Sequence, residues 1–141
     1  MLGADDGATA VETALALPVL LLLGLGAAQA AELVTQQSRM QAAGAQAEQI
    51  IAATKPKTAA QLTTIQSIIK ASAGMTAEPT VEFIYRCGTD TTTTTTEGTC
   101  GALTQWTYVH VRLAHTFTPG WTEFGIGAPI DLVVDRTAQI S

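Results

Sequence analysis

Positive charge is scarce in this sequence. Charged residues make up 13% of the 141 residues, the formal net charge is -5, and no Lys or Arg occurs before Arg39. The basic residues that follow are scattered along the chain rather than clustered. Proteins that bind nucleic acid or anionic membrane surfaces concentrate Lys and Arg on one face. We therefore expect neither of these partners, and the length allows one small domain.

Recognisable catalytic motifs are also missing. The sequence contains no G-x-S-x-G elbow, P-loop, dinucleotide fingerprint or H-E-x-x-H motif. His110 and His115 are five residues apart, so a strand would direct them to opposite faces, where they could not share a metal. Asp131 and Asp135 would share the solvent face of a strand. We predict no catalytic residues, no metal and no cofactor, and an extracytoplasmic enzyme is the least favoured class.

Cysteine is limited to two residues, Cys87 and Cys100, each followed by a glycine. A bridge between them would close a loop of about fourteen residues and remove roughly 3 kcal/mol of unfolded-chain entropy. Zinc would need further ligands at short spacing, and the two histidines offer no such pairing with the cysteines. We predict a disulfide in an extracytoplasmic domain, with two unpaired thiols as the alternative.

The amino-terminal region holds a long uncharged run, Ala14 to Ala31. A helix over residues 8–31 would be about 36 Å long, against about 30 Å of bilayer hydrocarbon. Membrane helices tolerate a proline such as Pro18 when neighbours cover the freed carbonyl. The glycines and alanines after residue 23 leave a thin face on which helices can approach closely. The run predicts a transmembrane assembly helix, with a plain anchor as the alternative.

A lone carboxylate, Glu12, stands just before this run. An ionised Glu inside a bilayer costs about 2.5 to 3.5 kcal/mol on insertion scales and needs a partner. Cleavage after Gly7 would create an amino group on Ala8, one helical turn from Glu12, and a neighbouring subunit could bring its own amine to the same carboxylate. Gly7-Ala8-Thr9-Ala10-Val11-Glu12, followed by the apolar residues 14–22, resembles the start of a type IV prepilin and the signature of the TadE-like proteins of tight-adherence pili.

This resemblance implies a minor pilin or pseudopilin, a structural or assembly component of a tight-adherence pilus. It implies prepilin processing between Gly7 and Ala8 and subunit registration through Glu12. The implied partners are other pilin subunits, a prepilin peptidase, the inner-membrane assembly platform and membrane lipid. The implied location is the bacterial inner membrane with an extracytoplasmic carboxyl-terminal domain, and incorporation into a surface pilus stays open.

A conventional signal peptide is the main alternative. Leu15 to Leu25 would form its apolar region, and Ala28-Gln29-Ala30 matches a small-x-small cleavage site. Cleavage after Ala30 would release a small secreted or periplasmic binding domain. The leader opposes this interpretation because it carries Asp5 and Asp6 and no cation, whereas signal peptides begin with positive charge.

The remaining sequence predicts an α+β fold. The first helix continues to about Thr54 before Lys55-Pro56, and a second helix runs from an N-cap at Thr58 to a stop at Gly74. From Thr80 the apolar period changes to two, which predicts antiparallel strands with one apolar face against the helices. The threonine run between the cysteines predicts a solvated hairpin loop, with a binding or glycan-acceptor loop as the alternative.

Together these predictions describe a type IV pilin-like fold. A long amino-terminal transmembrane helix and a short second helix pack on a three- to four-stranded antiparallel sheet. The expected segments are a prepilin leader at 1–7, a transmembrane or assembly helix at 8–31, an amphipathic helical region at 32–76 and an extracytoplasmic sheet domain at 77–141.

Overall fold

A computed structural model describes residues 4–74, 78–98, 100–125 and 127–141, for the backbone only at residues 4–9 and 124. The predicted α+β architecture is confirmed. A long helix α1 (Ala4–Thr54) and a short helix α2 (Ala59–Ala73) precede the strands β1 (Thr80–Cys87), β2 (Thr93–Thr94), β3 (Gln105–Phe117) and β4 (Ile130–Gln139). A short 3-10 helix, η1 (Gly120–Phe124), lies between β3 and β4.

The boundaries of both helices follow from local chemistry. Helix α1 ends where Lys55 adopts a left-handed φ of 44° and donates its backbone N–H to the Ile51 carbonyl, just before Pro56. Helix α2 begins with a capping box in which the Thr58 hydroxyl accepts from Gln61 N and the Gln61 amide accepts from Thr58 N. It ends at Gly74, whose φ of 62° suits a residue without a side chain.

The sheet is antiparallel, with strand order β2-β1-β3-β4. The central pairs run from Thr80↔Arg112 to Cys87↔Gln105 and from Tyr108↔Gln139 to Phe117↔Ile130. Strand β2 differs from the sequence prediction, which treated the whole threonine run as loop. Thr93 and Thr94 pair with Arg86 and Tyr85 as a short edge strand, because the hairpin that leaves β1 returns close enough for β-branched residues to bond with it.

Two helices cover one face of this sheet. Helix α1 packs on β3 and β4, and α2 packs beside it on β1. Apolar residues at heptad-like spacing on α1 meet those of α2 and the inward side chains of the sheet, as the sequence predicts. The buried core consists of Met40, Ala43, Ala47 and Ile51 from α1, Leu62, Ile65, Ile69 and Ala73 from α2, and Val109, Val111, Leu113, Val134 and Ala138 from the strands.

Two of the expected segment boundaries fall inside a continuous helix, and a third falls outside the described residues. Helix α1 is continuous through Gly7, Ala8 and residues 31–32, so no break in the backbone accompanies the expected ends of the leader or the transmembrane segment. The expected boundary between residues 76 and 77, like the first three residues of the leader, lies outside the described part of the chain.

The close contact of α1 with the sheet yields a stability prediction. Ala47 is fully buried, whereas Ala45, on the same helix, is exposed. Ala47→Leu should lower the free energy of unfolding by about 1 to 3 kcal/mol, because overpacking a tight core forces strained rotamers or backbone shifts. Ala45→Leu, the same change at the surface, should have little effect. Denaturant unfolding of the full chain in detergent micelles, followed by near-ultraviolet circular dichroism, measures both, and equal midpoints for the two variants would contradict the packing.

Candidate functional site

Residues 10–28 of α1 form an apolar rod that the rest of the protein leaves largely exposed. Nine Leu and Val side chains between residues 11 and 25 are 51% to 72% exposed. They are Val11, Leu15, Leu17, Val19, Leu20, Leu21, Leu22, Leu23 and Leu25. A soluble monomer rarely exposes so large a contiguous apolar surface. Within α1, the most apolar 18-residue window has a mean hydropathy of 2.0 and none of it is buried, so length and composition suffice to cross a membrane.

The carboxyl-terminal end of the rod is thinner than the part before it, because residues 24–28 are glycine and alanine except for Leu25. An ideal Cβ placed at Gly24 or Gly26 would meet no heavy atom within 4 Å outside the helix, so both positions face open space. The α-helical conformation continues on both sides of Pro18, which membrane helices tolerate. Small residues in open positions allow another helix to approach the backbone closely. The large side chains of the rod thus offer apolar surface to lipid, and its small residues allow a neighbouring helix to pack closely.

Glu12 lies on this rod, in an exposed position. Ala8 and Glu12 belong to the same uninterrupted helix, four residues apart, which places the two positions one above the other on one face. The backbone therefore has the spacing that pairing an amine on Ala8 with the Glu12 carboxylate requires. Helix α1 also runs through Gly7, so the expected cleavage position lies in helical backbone.

A contact that the sequence analysis missed joins the rod to the sheet domain. Gly120 donates its backbone N–H to Gln29 Oε1 at 2.9 Å, across 91 residues of sequence. An ideal Cβ at Gly120 would lie 2.6 Å from Gln29 Nε2, so only glycine fits this contact without displacing the Gln29 amide. Gln29 is the single polar side chain between residues 14 and 31, which is the one sequence signal that could have marked it.

The disulfide lies at the opposite end of the domain. Cys87, at the end of β1, is bonded to Cys100, with a Cα–Cα distance of 5.1 Å, so the predicted bridge is confirmed. It closes the base of the hairpin that carries the threonine run. Nearby, burial and, to a smaller extent, the negative charge of Glu97 raise the pKa of Tyr85 above its ordinary value. The disulfide and the polar loop thus lie at one end of the molecule, and the rod lies at the other.

The outer face of the sheet carries the remaining polar chemistry. His110 lies between two carboxylates, with Nδ1 3.5 Å from Glu82 Oε1 and Nε2 3.2 Å from Asp135 Oδ1. The Arg86 guanidinium lies 5.2 Å from the Tyr108 ring centroid. His115 points to the helix-covered face, where it lines a small cavity of about 80 Å³ with Gln36 and Arg39. Among the described residues no group of three His, Cys, Asp or Glu side chains could hold a metal ion.

The disulfide yields a second prediction. Reduction, or Cys100→Ser, should lower the free energy of unfolding by up to about 3 kcal/mol, because the bridge closes a loop of about fourteen residues in the unfolded chain. Thermal unfolding of the full chain in detergent with and without reductant measures this loss. The double variant Cys87→Ser, Cys100→Ser is the control, and reductant should leave its midpoint unchanged. Two alkylatable thiols in protein purified without reductant would refute the bridge.

Comparison with known families finds a match to most of α1. The family model described as TadE-like protein matches residues 7–48, a segment that includes Glu12, the apolar rod and the buried residues Met40, Ala43 and Ala47. The resemblance predicted from Gly7 to Leu22 is thereby confirmed. Comparison with curated proteins returns no match, and neither does comparison with solved structures.

Proposed function

We propose that this TadE-like chain is a minor pilin or pseudopilin, a structural or assembly component of a tight-adherence pilus. The observation that carries the proposal is the division of one continuous helix, α1, into an exposed apolar rod at residues 10–28, in which Glu12 is the single carboxylate, and a half packed on a sheet. A subunit of this form can be held in a membrane through the rod, and the same rod can pack against other rods when subunits assemble.

The exposed rod and the family match together indicate a membrane-anchored protein. The disulfide supports an extracytoplasmic position for the sheet domain, since such bonds form and persist in oxidising compartments. The rod would then cross the bacterial inner membrane with its amino terminus on the cytoplasmic side. Orientation draws no support from charge, because no Lys or Arg occurs before Arg39.

Glu12 is the residue to which we assign subunit registration. Its carboxylate lies among exposed apolar side chains, and an isolated charge in the hydrocarbon is unfavourable by about 2.5 to 3.5 kcal/mol. The amine created on a neighbour by cleavage before Ala8 would neutralise it at one axial position only. The partners under this proposal are other pilin subunits, the prepilin peptidase that cuts after Gly7, the inner-membrane assembly platform, and lipid before assembly.

The alternative of a signal peptide cleaved after Ala30 receives less support. Such a cut would fall inside α1 and remove Gln29, which accepts a hydrogen bond from Gly120 of the folded domain. Signal peptides are normally separated from the domain they deliver. An enzymatic role receives less support as well, because the matched family is a structural one.

The processing step yields a third prediction. Gly7→Leu should block cleavage in cells that contain a prepilin peptidase, so that only the full-length chain accumulates, because the glycine is the residue the peptidase reads in the family this chain resembles. Gly24→Leu is the matched control, since Gly24 faces open space on the same helix, and it should be processed normally. Amino-terminal sequencing of the membrane fraction decides the matter. A mature chain that begins at Ala31 would favour the signal peptide instead.

The carboxylate yields a fourth prediction. Glu12→Ala should leave membrane insertion intact or improved, since it removes the charge from the apolar rod, yet it should impair association with other pilin subunits. Glu12→Gln should behave in the same way if the charge is what matters. Glu32→Ala is the control, because Glu32 is an exposed carboxylate of the same helix beyond the apolar run. Carbonate extraction measures insertion and pilus co-purification measures assembly. Normal assembly of Glu12→Ala would disprove pairing with a subunit amine.

A further inference from the structure

The connection between β3 and β4, which the structure describes at residues 118–125 and 127–129, lies beside the end of the apolar rod. The hydrogen bond from Gly120 N to Gln29 Oε1 holds it there. Gly120 opens the 3-10 helix η1, and Trp121 is its next residue. Trp121 is half-buried, and an ideal Cβ on Gly127 would lie 3.1 Å from its Nε1, so the indole packs against the returning backbone. The connection is therefore ordered and is attached to α1 at one position along the helix axis, that of Gln29.

That position coincides with the expected edge of the hydrocarbon. Residues 10–28 rise about 28 Å at 1.5 Å per residue, close to the ~30 Å thickness of bilayer hydrocarbon. Gln29 follows directly and is the first polar side chain after Thr13. Glu32, the first charge after Glu12, comes less than one helical turn later. If the rod spans the bilayer, Gln29 and the connection that it holds lie among the lipid headgroups.

The composition of the connection suits this zone. Ala128, Pro129 and the adjoining Ile130 are exposed, and Glu123 is the only charged residue between Thr118 and Ile130. Tryptophan is enriched at membrane–water interfaces, where its ring can contact acyl chains while its N–H remains among polar groups. The other tryptophan, Trp106, lies near the opposite end of β3, eleven residues or about 36 Å along the strand from Phe117, where the connection begins.

We infer that the β3–β4 connection rests on the surface of the bilayer, with Trp121 in the headgroup region, so that the sheet domain is docked on lipid and not only tethered to it. The contact is made by an aromatic ring and apolar residues. It does not depend on anionic lipid, because the nearby charges, Glu32 and Glu123, are negative and no Lys or Arg occurs between residues 118 and 130. The inference rests on the membrane anchoring within the proposed function and is independent of pilus assembly.

The two tryptophans provide a direct test. The full chain is reconstituted in phosphatidylcholine vesicles whose acyl chains carry bromine near the headgroup, a short-range quencher of tryptophan fluorescence. Trp106→Phe leaves Trp121 as the only tryptophan, and Trp121→Phe, the matched control, leaves Trp106. Because bromine quenches at contact and Trp121 is expected at the headgroup level, we expect strong quenching of Trp121 and little quenching of Trp106. Vesicle flotation is recorded for every sample to verify anchoring.

Each other outcome overturns the inference in a distinct way. If the protein floats with the vesicles and neither tryptophan is quenched, the connection faces water or another subunit while anchoring stands. Equal quenching of both would mean that the sheet domain lies flat on the membrane. If quenching of Trp121 appears only when phosphatidylglycerol is added, the contact is electrostatic and the inferred chemistry is wrong. Failure to float would remove both this inference and the anchoring on which the proposed function relies.

Discussion

The rest of the structure depends on the contact between α1 and one face of the sheet. Met40, Ala43, Ala47 and Ile51 occupy one stripe of the helix and are almost wholly buried against the sheet and α2. Because the small residues let the helix approach closely, α1 cannot rotate about its axis without losing this fit. A rigid helix fixed in this way determines the direction of everything on its amino-terminal side. The orientation of the exposed rod relative to the domain is thus decided by packing some distance away.

The same stripe explains where the domain ends along the helix. Leu33 and Gln36 continue it toward the amino terminus and are half-buried, and Gln29 is the last member to bond with the domain. Between residues 10 and 28 the described side chains have no covering layer, and all except Glu12 and Thr13 are apolar. The change from a packed helix to an exposed one therefore occurs within about one turn and is marked by a polar contact. The surface that α1 buries in the domain and the surface that the rod exposes therefore lie on successive parts of the helix.

Much of this fold could be predicted from the sequence, because its signals are local. Thr58 with Gln61, Gly74 and Lys55-Pro56 act through their own backbone, and alternation along β1, β3 and β4 identifies the inward faces without knowledge of the partners. Strand β2 and the Gln29–Gly120 bond could not be predicted, because each depends on segments brought together only by tertiary packing. The disulfide was predicted from two cysteines alone. The pairing of Glu12 stays a prediction, because its expected partner belongs to another chain.

Under the proposed function, the apolar rod would favour insertion of a single subunit into the membrane. Pairing of its carboxylate with an amine of a second subunit would stabilise it further. At about -0.3 to -0.6 kcal/mol for each Leu or Val on the insertion scale, nine such side chains contribute about -3 to -5 kcal/mol. This offsets the cost of about 2.5 to 3.5 kcal/mol for a charge at the bilayer centre, which is an upper bound for Glu12 near the end of the rod, so the carboxylate would not prevent insertion. Recovering that cost by pairing with an amine on a second chain would strengthen association by up to about a hundredfold, since each 1.4 kcal/mol is a factor of ten. Under the proposed function, a single charge in the apolar rod would therefore favour assembly without keeping the subunit out of the membrane.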